Sequence, residues 1–222
     1  PNAGADEITG PLCSANVFRT SFSNSQMGIA MGKVMAEQKK KTAVTITWKY
    51  AAGAESTGGF KESFEAGGGK VVKELTLPFP QVEFQPLLTE IAALKPDVVY
   101  AFFAGGGAVK FVKDYDAAGL KRSIPLMGSG FLTDGTLEAQ GASAQGLIDG
   151  AKKEGQVVFY ASMEAPSAQR LTAAFERRHP YIKVESTRIG SERMATRLIA
   201  EAQARKVRAD VVHQSAFDFY GV

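Results

Sequence analysis

The chain has 222 residues, 45% of them hydrophobic and 22% charged, which bounds it to one large α/β domain or two small ones. Its formal net charge is only +3, and the basic residues are spread along helices rather than gathered on one face, so no nucleic-acid partner is expected. A single cysteine, Cys13, excludes an internal disulfide and a cysteine-based metal site, and no apolar run approaches the roughly 20 residues that a membrane-spanning helix needs.

Residues 1–23 are rich in turn formers, and no basic–apolar–small leader is visible, so any export signal is expected outside this sequence. Met27, Met31, Val34 and Met35 then recur at helical spacing and predict a helix from about Ser25 to Gln38. Lys39-Lys40-Lys41 follows, where cations suit the carboxyl end of a helix dipole. The β-branched run Ala43–Trp48 predicts a buried strand. A helix around Phe60 and Phe64 leads through Gly67-Gly68-Gly69 to a strand over Val71–Leu77. Phe84, Leu87, Leu88, Ile91 and Leu94 mark an amphipathic helix, and Val98–Phe103 the next strand. After Gly105-Gly106-Gly107, one helix side carries Ala108, Phe111, Val112 and Tyr115, and Gly119 ends it. A strand over Ile124–Gly128 and a short helix around Leu137 reach Gly146-Leu147-Ile148. Such alternation predicts a parallel doubly wound sheet of about five strands, flavodoxin-like or Rossmann-like, with helices on both faces.

From there the pattern restarts. Gln156–Ser162 reads as a strand, a helix carries Leu171 and Phe175, and Ile182–Arg188 reads as a second strand. A helix with Met194, Leu198, Ile199 and Ala202 precedes a last strand over Ala209–Gln214. This is a partial βαβαβ unit whose open edge needs a covering surface, which makes a homodimer an expectation. Composition changes at the same place. Residues 1–146 hold two Arg and twelve Lys, against eight Arg and four Lys in 147–222, and nineteen of the 23 Gly lie in the first stretch. Two domains, 1–148 and 149–222, are expected.

Phe18-Arg19-Thr20-Ser21-Phe22-Ser23, Tyr50-Ala51-Ala52-Gly53, Gly59-Phe60-Lys61, Ala66-Gly67-Gly68, Leu94-Lys95-Pro96-Asp97 and Ala118-Gly119-Leu120-Lys121 occur in an order that resembles one family. Over residues 1–149 the chain resembles the second lobe of type I periplasmic solute-binding proteins of the branched-chain-amino-acid and aromatic-acid group. Residues 147–222, through Ala151-Lys152-Lys153-Glu154-Gly155, Val158–Ser162, His179–Glu185, Arg197–Ala202 and Ala209–Val212, resemble the opening of a type II binding protein of the ferric-iron kind. Gly146-Leu147-Ile148-Asp149 suits either family and is the natural join of a chimera. The resemblance implies capture of a small carboxylate in the periplasm for the membrane subunits of an ABC importer. It also implies that one lobe alone binds weakly or not at all. An engineered chimera with no ligand or activity is the alternative.

Several residues are candidate ligand contacts. Trp48, Tyr50, Phe103 and Phe131 end predicted strands and would converge at one sheet edge, which suits an aromatic or aliphatic carboxylate. Gly105 opens a glycine turn whose amides either face an anion at a helix N-terminus or only permit a tight turn. Arg19, set among apolar and hydroxyl residues, reads as a fork for a ligand carboxylate or as a structural ion pair. Ser162 and Arg188 end successive strands of the second piece. His179 is expected to cap a helix, and His213 to be a satisfied core residue. No nucleophile elbow, catalytic dyad, zinc motif or nucleotide fingerprint is present, so neither an enzyme nor a bound cofactor or metal is expected.

Overall fold

In the computed structural model, which describes residues 4–16, 19, 22–204 and 206–213, the first sheet is built around β1 (Thr42–Trp48). Helix α1 (Asn24–Glu37) precedes it, and α2 (Ala51–Ala66), β2 (Lys70–Leu77), α3 (Gln85–Leu94), β3 (Val98–Phe102), α4 (Gly105–Ala117), β4 (Leu126–Gly128) and the short α5 (Leu137–Gln140) follow. The strands pair in the order β2-β1-β3-β4, all parallel. This is the strand order of a flavodoxin-like sheet. About five strands were expected; the described residues of this sheet contain four. Phe18, Thr20 and Ser21 lie outside the described residues.

The two-residue period of a strand sorts the core into layers. Val44, Ile46 and Trp48 of β1 and Val99, Ala101 and Phe103 pack with Leu88 and Ile91 of α3 and Phe111 and Val112 of α4. Ala43, Val98 and Tyr100 point the other way, onto Met35 of α1 and Phe60 and Phe64 of α2. There Phe60 stacks on Tyr100 at 4.6 Å between ring centroids and 6° between planes. The Tyr100 hydroxyl, 2.8 Å from Ser56 Oγ, is satisfied, and burial pushes its phenol up to about 12. At the amino edge of the sheet, Asp97 Oδ2 accepts the amides of Lys41 (2.8 Å) and Thr42 (2.9 Å), which aligns the starts of β1 and β3. Those two backbone donors hold the Asp97 carboxyl below the ordinary range.

Helices α1 and α2 approach backbone to backbone. A Cβ on Gly28 would meet the Ser56 carbonyl and come within 2.7 Å of Phe60 N, and one on Gly32 would come within 2.5 Å of the Phe60 carbonyl. Glycine is required at both by the neighbouring main chain, which cannot yield as a side chain can. The N-terminal end of this pair is closed by Glu55, which accepts the Asp6 amide at 3.1 Å and Asn24 Nδ2 at 2.8 Å.

The chain divides into two compact units, Pro1–Ala144 and Gln145–Val222. The expected join at 146–149 falls inside a helix, α6 (Gln145–Glu154). The second unit continues with β5 (Gln156–Ala161), α7 (Ala165–Arg178), β6 (Lys183–Arg188), α8 (Ser191–Gln203) and β7 (Val211–His213). Its sheet is parallel with order β6-β5-β7, the βαβαβ unit anticipated from the sequence. Gln214, the expected end of the last strand, lies outside the described residues. Val158 and Tyr160 pack on Met194 and Leu198 of α8. On the other face Val157, Phe159, Val184 and Val211 line an apolar groove of about 180 Å³ with Leu171, Thr172 and Phe175 of α7. His179 is the C-cap of α7, donating its amide to the Phe175 carbonyl. His213, expected in the core, is exposed, because β7 is an edge strand.

Glu201 on α8 ties the second unit together. Its carboxylate accepts Arg197 Nε at 2.8 Å, the Arg208 amide at 3.0 Å and the Tyr160 hydroxyl at 2.9 Å. The Arg197 guanidinium, then the Arg208 amide, hold its pKa at about 2, below the ordinary 4.5.

Two outcomes follow from this packing. Gly28→Ala is expected to destabilise the protein by about 1–3 kcal/mol, whereas Gly58→Ala, a helical site with nothing near its Cβ, stabilises it by up to about 1 kcal/mol; urea unfolding of both variants distinguishes them. Because Glu201 is depressed in the folded state, its contribution is complete above pH 4.5 and is lost as pH falls toward about 2. Thermal melts from about pH 6 down to about pH 2 should lose less stability in Glu201→Gln than in the parent over that window.

Candidate functional site

Strand order reverses between β1 and β3, and in open α/β sheets ligands settle in the crevice beyond the carboxyl ends of the strands at such a point. Two helices begin there. Tyr50, in extended conformation (φ −156°, ψ 166°), is the N-cap of α2, and Ala104 is the N-cap of α4. The first amide of α4 bonded within its own turn is that of Ala108, to the Ala104 carbonyl at 3.3 Å. The amides of Gly105, Gly106 and Gly107 therefore stand at the positive end of a thirteen-residue helix. Gly105 adopts φ +53°, a left-handed turn that redirects the chain from β3 into α4.

Trp48, at the end of β1, is 5% exposed and organises this edge. Its indole Nε1 donates to the Gln81 carbonyl at 2.7 Å, and its ring lies against the backbone of Gly107, where a Cβ would collide with it. Edge-on contacts join it to Tyr50 (6.1 Å), Phe79 (5.2 Å) and Phe103 (5.1 Å). Tyr50 in turn meets Phe102 at 6.1 Å, Phe102 meets Phe131 at 5.8 Å, and Phe131 meets Phe22 at 5.6 Å. A continuous row of rings thus crosses the carboxyl ends of all four strands.

The four aromatics singled out in the sequence do converge, but at two depths. Phe103 is 0% exposed and Trp48 nearly so, placing both in the core beneath the edge, whereas Tyr50 and Phe131 are half-buried and Gly105 is exposed. Burial raises the Tyr50 phenol above its ordinary value. Arg19 makes no ion pair among the described residues. One of its terminal nitrogens donates to the Ala5 carbonyl, and its Nε is buried without a partner. Ser162 and Arg188 lie at the carboxyl edge of the other sheet, in the second unit. The Ser162 amide donates to the His213 carbonyl at 2.9 Å, and Arg188, exposed, donates Nε to the Met163 carbonyl at 3.2 Å. Neither residue lines the apolar groove of that unit.

Two residues at the first edge escaped the sequence reading. Phe79 sits in the loop after β2, where Pro78 and Pro80 mask any periodicity. Ser129 directly follows β4 and is 4% exposed, with its hydroxyl unpartnered. Nothing in its local sequence sets it apart from other serines. Among the described residues no group of His, Cys, Asp and Glu can hold a metal ion, and no helix is long and apolar enough to cross a membrane.

Comparison with curated protein sequences gives no match. Among solved structures, the chain is 50% identical to a solute-binding protein of an ABC transporter from R. palustris in complex with benzoate. That similarity covers 81% of this chain and 48% of the other, with a TM-score of 0.65. A solute-binding protein from Rhodopseudomonas palustris BisB5, in complex with 3,4-dihydroxybenzoic acid, is 34% identical over 64% of this chain and 39% of its own, with a TM-score of 0.58. An ABC transporter substrate-binding protein from Sphaerobacter thermophilus is 30% identical over 82% of this chain and 49% of its own, with a TM-score of 0.63. The chain therefore spans about half, or less, of the length of these structures. The family described as periplasmic binding protein matches residues 2–211, which takes in the first sheet and strands β5 and β6 of the second. On that match the chain belongs to the periplasmic binding protein family.

Proposed function

We propose that this chain is part of the solute-binding protein of an ABC importer, and that it presents one face of a site for a small carboxylate, an aromatic acid foremost and a branched-chain amino acid as the alternative solute. The observation that carries this is the row of rings at the β1/β3 switch point, of which Tyr50, Phe79 and Phe131 reach solvent, beside the N-terminus of α4. An aromatic acid has two parts, and the edge offers a counterpart for each. Rings accept a ring by edge or offset contact. The Gly105–Gly107 amides and the helix dipole favour an anion. The solved relatives that hold benzoate and 3,4-dihydroxybenzoic acid support the same class of solute. The family match supports work in the periplasm beside the membrane subunits of an importer, with binding rather than catalysis as the task.

Tyr50, Gly105 and Phe79 all face solvent to some degree, so a solute on this face keeps much of its hydration. Closure of two lobes over a ligand is what removes it from water. Binding by this chain alone is therefore weak, on the order of millimolar.

Residues 149–222 carry a second reading, a lobe fragment of the type II kind joined to the first. The jump in Arg over Lys favours it, and against it stands the single family match that runs from residue 2 to residue 211. An engineered join without a ligand would melt cooperatively and ignore every carboxylate.

Trp48 is the sole tryptophan and touches the row, so its fluorescence reports the edge directly. Titration with benzoate should give a saturable change, weaker in Tyr50→Ala by roughly three- to tenfold. A flat response to benzoate and to leucine, up to tens of millimolar, would sink the proposal.

A further inference from the structure

Phe79 belongs to no packing layer of the fold. It is 59% exposed, so it forgoes most of the stabilisation that burying a phenyl ring supplies. It is nevertheless held in place. The loop that carries it is closed by a turn, Gln81 N–H to the Pro78 carbonyl at 2.8 Å. It is anchored at one end by Lys49 N–H to the Leu77 carbonyl at 2.8 Å, and at the other by the Trp48 indole on the Gln81 carbonyl at 2.7 Å. The Phe79 ring meets Trp48 at 87° and stacks on Tyr50 with centroids 5.7 Å apart and planes 26° apart. A phenyl ring carried on a hydrogen-bonded turn, supported by two other rings and open to solvent, has less freedom to lose on binding than one on an unsupported loop.

We propose that Phe79 is a specificity-determining residue of this edge, selecting solutes whose carboxylate is carried on a flat aromatic ring over those carrying it on a branched or saturated chain. This rests on the carboxylate-binding reading above. The stack of Tyr50 and Phe79 is extended by one more planar ring at offset or edge geometry, an arrangement that rewards a π-system beyond its apolar area. A puckered cyclohexane ring or an isobutyl group fills the same space without that term. The three other partly exposed aromatic groups of the row do not offer this, because Tyr50, Phe131 and Phe22 are each half-buried against neighbours.

The test compares benzoate with cyclohexanecarboxylate, equal in charge and close in size, by Trp48 fluorescence and by ligand-observed NMR on the full chain. The parent should favour benzoate. Phe79→Leu, which keeps an apolar side chain, should weaken benzoate by roughly three- to tenfold while leaving cyclohexanecarboxylate within about twofold, and Phe79→Tyr should restore the preference. Because the side chain is mostly solvent-exposed, both variants should melt close to the parent, which separates loss of selectivity from loss of fold. Equal affinities for the two acids in the parent, or a Phe79→Leu variant that keeps the preference, would overturn the inference while leaving carboxylate binding intact. Absence of binding by either acid in the parent would overturn the carboxylate reading itself, and this inference with it.

Discussion

The buried indole of Trp48 is the contact on which the arrangement of the first unit's carboxyl edge depends. It joins four segments that are distant in sequence. It ends β1, donates to the loop after β2, touches Phe103 after β3, and lies on the backbone of Gly107 in α4. A tryptophan can do this because its large apolar body and single donor let it fill a core while satisfying one carbonyl. The consequence is a rigid floor. The rings above it, Tyr50 and Phe79, inherit their positions from a residue that is not itself accessible, so the geometry of the edge is set from beneath.

The rest of the unit keeps that floor level. Parallel pairing requires a crossover between neighbouring strands, and each crossover helix must sit against one face of the sheet. Glycines in α1 let that helix approach α2 through backbone, and the aromatic layer of Phe60, Phe64 and Tyr100 fills the space to the sheet. Asp97 fixes the opposite edge by holding the starts of β1 and β3 in line. Exposed ion pairs such as Lys73–Glu90 and Lys61–Glu74 lie on the surface, where screening by solvent leaves such pairs worth little. In the second unit a carboxylate network centred on Glu201 links α8, Tyr160 and the segment before β7.

Much of this was legible in the sequence because it is local. Val44, Ile46 and Trp48 alternate with Ala43, Thr45 and Thr47 in a two-residue period that identifies β1, and Leu88 and Ile91 keep the helical spacing that identifies α3. Lys95, in a left-handed conformation ahead of Pro96, ends α3 where the sequence punctuation ends it. Even the gathering of Trp48, Tyr50, Phe103 and Phe131 at one edge follows from locality, since residues that end parallel strands end at the same side.

Depth was not legible. Trp48 and Tyr50 are two residues apart with similar chemistry, yet one is core and the other is only half-buried. Phe79 is apolar and lies mostly in solvent, while Ser129 is polar and lies buried. Strand periodicity, crossover order and the convergence of strand ends are properties of a chain and its immediate neighbours, and the sequence by itself determined them. Which ring faces water depends on which strand lies beside which, and on where the loops after β2 and β4 fold back. Those are contacts between residues tens of positions apart, and only the tertiary structure decided them.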